Sequence, residues 1–413
     1  MTKKSSESLS RRTFVKAGLG TLAALELNAI AGCSQPITPK GTVPPGGKTP
    51  TPGRPGQPGS PSQPGQPTDF PKIKDNPNAT NPSGGELHTK ANSGEGLETR
   101  PSGPRVEHAN PGSHQKPPNQ KQKEKVFVVK ATDRVAGLKI LMGMIDWSFA
   151  KGRKILLKPN LVSSQAFPVC THDDTLKTVV AGLKKAGCKE ITLGESSGLG
   201  RTKSVLASKG THKLCQDMGV QLVNFDDMPK SSWESFTFPK MNWGGKLAIP
   251  KVMRAKEHAV VLLPCCKTHQ FGGDFTMSLK LAVGITPVGR RSGMHSSGDL
   301  PGWVADINKG YTPDLIIMDA LSCFISGGPT SGELAHPGVL VAGTNRVAVD
   351  AVGVAILKSA GAKTTPLKKK IFEQRQIARA VEIGLGPGSP SDIEIIGNHA
   401  KTTKMLRGIL DIG

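Results

Sequence analysis

The sequence predicts an α/β fold: a mostly parallel sheet with helices on both faces, preceded by a disordered Pro/Gly-rich tether. Three observations predict it. Short apolar, β-branched runs alternate with longer helical patterns over residues 125–413; composition changes abruptly near residue 124; and polar residues repeatedly follow the apolar runs. The chain accordingly divides into 1–33, 34–124 and 125–413.

In chain order, residues 126–129 form a first β-branched strand, and 135–150 repeats apolar positions at helical spacing. A short strand at 154–157 stops before Lys158-Pro159. The helix at 173–186 is announced at both ends: Thr171 or His172 as cap, Asp173 and Asp174 at its positive end, and Gly187 after it. A strand at 190–193, a helix at 203–218 and a strand at 220–225 come next. Residues 258–263, His258 followed by five apolar residues and stopped by Pro264, read as a buried strand. A short helix at 278–284, strands at 315–318 and 339–342, helices at 347–360 and 369–383, and a strand at 392–396 complete the alternation.

The N-terminus carries an address. Ser10-Arg11-Arg12-Thr13-Phe14-Val15-Lys16, a weakly apolar run, then Ile30-Ala31-Gly32-Cys33 resemble a twin-arginine export signal ending in a lipobox. The run is interrupted by Glu26 and Asn28 and is too short to span a bilayer. The resemblance implies passage through the twin-arginine translocon, cleavage before Cys33, lipidation of Cys33, and a mature protein anchored to a membrane, facing the periplasm or cell exterior.

Between 34 and 120 there are 19 Pro and 13 Gly in 87 residues, with Phe70 the one aromatic, a level of Pro and Gly that cannot bury a core. Glycine does not recur strictly at every third position, which argues against a collagen triple helix. The segment is expected to space the folded part from its anchor.

Residues 125–413 carry 38 Lys and Arg against 23 Asp and Glu. A field of that sign favours anionic partners: a small molecule, an envelope polymer or lipid headgroups. No helix-turn-helix, zinc-finger or ribonucleoprotein pattern points to nucleic acid. The six cysteines after Cys33 show no CxxC, no ferredoxin run and no zinc spacing, so no iron–sulfur motif is present.

Four apolar runs deliver functional groups just past their carboxyl ends: Lys158-Pro159-Asn160, Gly194-Glu195-Ser196-Ser197, Lys267-Thr268-His269 and Asp319. That edge is where open α/β sheets bind ligands. Lys158 either grips an anion or sits on the surface before a turn. His172 is a ligand or a helix cap, and Glu195 a base, a metal carboxylate or a turn-closing group. Lys267, His269 and Lys280 form the strongest constellation. With Ser278 opening a helix, they place cationic groups and free backbone N–H groups at one point, a chemistry that suits an anion. His269, beside two ammoniums, is expected to stay neutral and act as a base or ligand. His295 is placed to join His269, Glu195 and Asp319 around a divalent metal, the candidate cofactor. Asp350 reads as a loop anchor.

Lys158-Pro159-Asn160-Leu161, Thr171-His172, Gly194-Glu195-Ser196, the block from Lys267 through Lys280 to Gly284, Asp319, Val347-Ala348-Val349-Asp350-Ala351 and Gly384-Leu385-Gly386 occur in the order of a known family. They resemble the domain of unknown function 362 family. The likeness runs over nearly all of 125–413 and implies the fold and site positions rather than a reaction. Some family members carry a ferredoxin module, whose cysteine run this chain lacks. The expected function is an exported, lipid-anchored, enzyme-like domain acting on a small anionic ligand, with Glu195 and His269 as acid/base groups and Lys158, Asn160, His172, Lys267, Ser278, Lys280 and Asp319 as ligand contacts. The alternative is an envelope lipoprotein that binds without turnover.

Overall fold

The computed structural model describes residues 122–413. The export signal, Cys33 and nearly all of the expected tether therefore lie outside the described residues.

Eight strands make one sheet: β1 (Glu124–Lys130), β2 (Lys154–Pro159), β3 (Glu190–Glu195), β4 (Gln221–Asn224), β5 (His258–Leu263), β6 (Leu315–Ala320), β7 (Val339–Gly343) and β8 (Ile393–Gly397). Their spatial order is β8-β1-β7-β6-β5-β2-β3-β4. Strand β7 runs antiparallel to β1 and β6, while the other neighbours pair in parallel. The mostly parallel sheet expected from the strand–helix alternation is present, and each expected strand lies within two residues of an observed one.

The helices are α1 (Arg134–Gly143), α2 (Asp173–Lys185), α3 (Thr202–Ser208), α4 (Thr211–Met218), α5 (Ser278–Leu281), α6 (Val288–His295), α7 (Leu300–Ile307), α8 (Arg346–Ser359), α9 (Arg375–Glu382) and α10 (Ala400–Ile412). The helix expected over 203–218 is two, because Gly210 takes φ +64°, a left-handed conformation that a continuous helix cannot hold. The helix expected over 135–150 stops at Gly143, and a 3₁₀ turn at Ser148–Ala150 covers its expected end. Helices α6, α7 and α10 were not foreseen. In α7 the start is fixed by Asp299, whose carboxylate accepts from Gly302 N at 3.2 Å.

Side chains alternate between two apolar layers, as a pleated strand requires. On β5, Val260 and Leu262 face the layer built by α5, α7, α8 and α9, whereas Ala259, Val261 and Leu263 face the layer of α1 and α2. Burial on both faces explains why β5 has no polar alternation.

The connectivity positions a site. From β2 the chain steps outward through β3 to β4, then returns to lay β5 on the other side of β2. The loop after β2 leads to α2 on one face, and the segment after β5 leads to α5 on the other. The carboxyl ends of β2 and β5 thus flank a topological switch point, where departing loops open a crevice.

Candidate functional site at the switch point

Lys158 near the end of β2 and Glu195 at the end of β3 form an ion pair, with each side chain 2% exposed. Burial pushes the Lys158 ammonium below its ordinary range, and the neighbouring Glu195 charge opposes that shift. Both Glu195 oxygens are engaged: Oε1 accepts from Lys158 and from Ser196 N at 2.8 Å, and Oε2 accepts from Leu161 N at 2.8 Å. This carboxylate closes two strand-end turns. Lys158 Nζ also donates to Pro159 O at 2.7 Å.

The segment after α5 seals this pair through Gly284, where a Cβ would stand 2.8 Å from Lys158 Nζ and 3.0 Å from Glu195 Oε1. Only a glycine lets the backbone come that near. Arg291 of α6 closes the same corner. Its guanidinium donates to Ser196 Oγ, to Ser197 O at 2.7 Å and to Thr286 O, and Ser196 Oγ in turn donates to Asp226.

Beside this corner is a cationic cluster. Lys267–Thr268 pairs with Phe275–Thr276 in a short hairpin, whose connecting residues carry His269 and Gly273. A Cβ at Gly273 would stand 2.8 Å from His269 Nδ1 and 3.3 Å from Lys280 Cε, so the loop folds back onto Lys280. His269 is 8% exposed, and its Nδ1 has no hydrogen-bond partner among the described residues. Burial, then Lys280, His295 and Lys267, hold the imidazole far below its ordinary pKa, so it is neutral at physiological pH. The exposed His295 on α6 is also shifted down, by burial and Lys280. Lys280 is partly buried and is pushed down to about 8 by burial, followed by the charges of Lys267 and Arg291. Each charge acting on Lys280 is positive. Such an arrangement can hold an anion, or keep a neutral imidazole next to an ammonium for proton transfer.

Several expected contacts have other occupations. Lys267 is fully buried and donates to Pro168 O at 3.2 Å and Val169 O at 2.5 Å, holding the loop before α2. Asn160 donates its N–H to Thr171 Oγ1 at 2.8 Å, and Thr171 Oγ1 donates to Leu263 O at 2.7 Å, which stitches the ends of β2 and β5. His172 caps α2, its Nδ1 accepting from Asp174 N at 3.1 Å. Ser278 does not present free N–H groups: Ser278 N and Leu279 N donate to Asp350 Oδ1 and Oδ2 at 2.9 Å, and the Ser278 hydroxyl also bonds Asp350. The expectation of open backbone donors at α5 is corrected by this cap. Burial raises Asp350 to about 7. Asp319 turns toward α1 and α2, accepting from Arg134 Nε at 2.7 Å and Thr175 Oγ1 at 2.9 Å.

The structure thus groups Lys158, Glu195, Lys267, His269, Lys280 and His295, and it directs the Asp319 and His172 side chains to the α1–α2 side. Among the described residues no group of three His, Cys, Asp or Glu side chains could hold a metal ion. The expected His269–His295–Glu195 set, with Asp319, does not assemble, because Glu195 is committed to Lys158 and Asp319 to Arg134. Sequence reading missed Arg291. The pair Arg290-Arg291 was visible, but which of the two turns inward depends on the register of α6.

Residues 155–355 match the model of the family described as a domain of unknown function (DUF362). This stretch belongs to the DUF362 family. It contains all the residues grouped at the crevice, from Lys158 to His295, and Asp350, which caps α5. The chain is also 24% identical over 214 residues to the thylakoid-associated protein sll1697 of Synechocystis sp., an alignment covering 50% of this chain and 64% of that one. A solved structure of a Thermotoga maritima protein aligns at 12% identity over 55% of this chain and 58% of that one, with a TM-score of 0.35.

Proposed function

We propose that this DUF362 domain binds a small anion, a carboxylate or phosphate, in the switch-point crevice, and that it does so as an exported protein anchored to a membrane surface through Cys33. The observation that carries the first part is Lys280: a partly buried ammonium whose charged neighbours are Lys267 and Arg291, beside a neutral His269 with an unpartnered Nδ1. A cation so placed is relieved most by a bound anion. Lys280 supplies the charge, and the neutral imidazoles of His269 and His295 supply hydrogen-bonding groups beside it. Lys158, Glu195 and Arg291 fix the walls. The second part rests on the twin-arginine and lipobox resemblance and on the thylakoid association of the relative. Among the described residues no helix is long and apolar enough to cross a membrane.

A second reading, binding without turnover, is favoured by Glu195, whose oxygens are both bound to the protein's own groups. Calorimetric titration of the full chain with inorganic phosphate and with small carboxylates tests the site. Binding that Lys280→Met abolishes is the expected result, and failure of every such anion to bind refutes it. Recovery of the bound anion chemically unchanged selects the binding reading.

A further inference from the structure

On the opposite face of the sheet from α5, a groove of about 890 Å³ runs between α1 and α2. The Met142 thioether of α1 reaches over Gly182 of α2, where a Cβ would stand 2.0 Å from Met142 Cε. The indole of Trp147 forms one wall, fixed by donation from Nε1 to Met142 O at 2.8 Å and by stacking on Phe149 with centroids 6.0 Å apart. On α2, Lys177, Ala181 and Lys185 succeed one another at four-residue spacing along the groove. The two lysines are therefore separated by about 12 Å of helix axis, with a small apolar residue between them. Lys139 enters from α1, and Asp174 is the one carboxylate in the lining.

We propose that this groove binds a single-chain anionic amphiphile, of which a long-chain fatty acid is the simplest, with its tail against Met142, Trp147 and Ala181 and its headgroup on Lys177 or Lys185. The volume lies within the range of small-molecule sites. An apolar trough lined by three lysines against one acid complements a molecule with an anionic end and an apolar body, and a fully polar anion would leave the trough walls in water. Lysine stems lie along apolar surface while their ammoniums reach outward, which suits contact with a headgroup at the groove mouth. This site is independent of the crevice at the switch point.

The test uses the full chain and oleate in competition with a fluorescent fatty acid, below the concentration at which either forms micelles. Saturable binding at one equivalent is expected. Ala181→Trp, which fills the trough at an exposed position, abolishes it without lowering Tm. The double change Lys177→Glu/Lys185→Glu weakens oleate about tenfold and leaves oleyl alcohol unchanged. The proposal is overturned if oleate does not bind, if it binds only within vesicles, or if neither variant alters its affinity.

Discussion

Lys158 and Glu195, 37 positions apart, are joined by an ion pair beneath Gly284, each side chain 2% exposed. Their charges are balanced by one another and by the strand-end backbone, so the pair shapes the crevice floor, while Lys280 beside it has no carboxylate partner among the described residues.

Removing one partner leaves a buried charge. Lys158→Met or Glu195→Leu is expected to cost about 3–5 kcal/mol in urea unfolding, and the double variant less than the sum of the two. Additive losses would show that the two residues act separately.

The pH dependence of Lys280 is set by its position. Its folded-state pKa of about 8 lies below the ordinary 10.5, so between these values the unfolded chain binds more protons and the group's contribution to stability rises with pH. Anion affinity moves the other way, weakening as pH climbs through about 8 and the ammonium is lost. Lys280→Met should flatten both profiles, as chemical denaturation and titration from pH 7 to 10 will show.

For Asp350 the sign is reversed. A carboxyl held at about 7 in the fold, against 3.8 ordinarily, retains its proton longer folded than unfolded. Its contribution to stability therefore falls as pH rises from about 4 to 7. Asp350→Asn should remove that slope, while Asp350→Ala, which orphans Ser278 N and Leu279 N, is expected to cost about 1–3 kcal/mol. A slope surviving in the Asn variant would assign it to another group.

Gln374 and Gln376 are fully buried, and none of their four side-chain amide atoms has a hydrogen-bond partner among the described residues. Gln376→Met keeps the volume and removes two orphaned polar atoms, so its Tm is expected to rise or hold. A clear drop would mean that the amide is satisfied in solution.

Export is tested by fractionation and lipid labelling. Arg11-Arg12→Lys-Lys should retain precursor in the cytoplasm, and Cys33→Ala should abolish label incorporation. Unchanged behaviour of both variants would remove the anchored part of the proposal.

Strand positions were legible in the sequence because an apolar β-branched run such as 258–263 can be buried only as a short element, and its length and period are local properties. The same holds for α2, whose acidic first turn and terminal glycine are written in adjacent residues. Polar groups past the strand ends marked the edge that holds the candidate site, since strands joined in parallel by crossovers put their carboxyl ends, and groups such as Lys158 beside them, on one side of the sheet. Which of those groups stay open was decided by the tertiary structure. Glu195 lost its availability to Lys158, Asp319 to Arg134 185 positions away, and Ser278 to Asp350 72 positions away. Arg291 entered the site through a helix that its Gly- and Ser-rich sequence does not announce. A buried charge takes whichever partner the fold brings within reach, and that choice has no local period to read. Composition and spacing determined where the chain's chemistry gathers; packing across the switch point left the Lys280 ammonium and His269 Nδ1 without hydrogen-bond partners among the described residues.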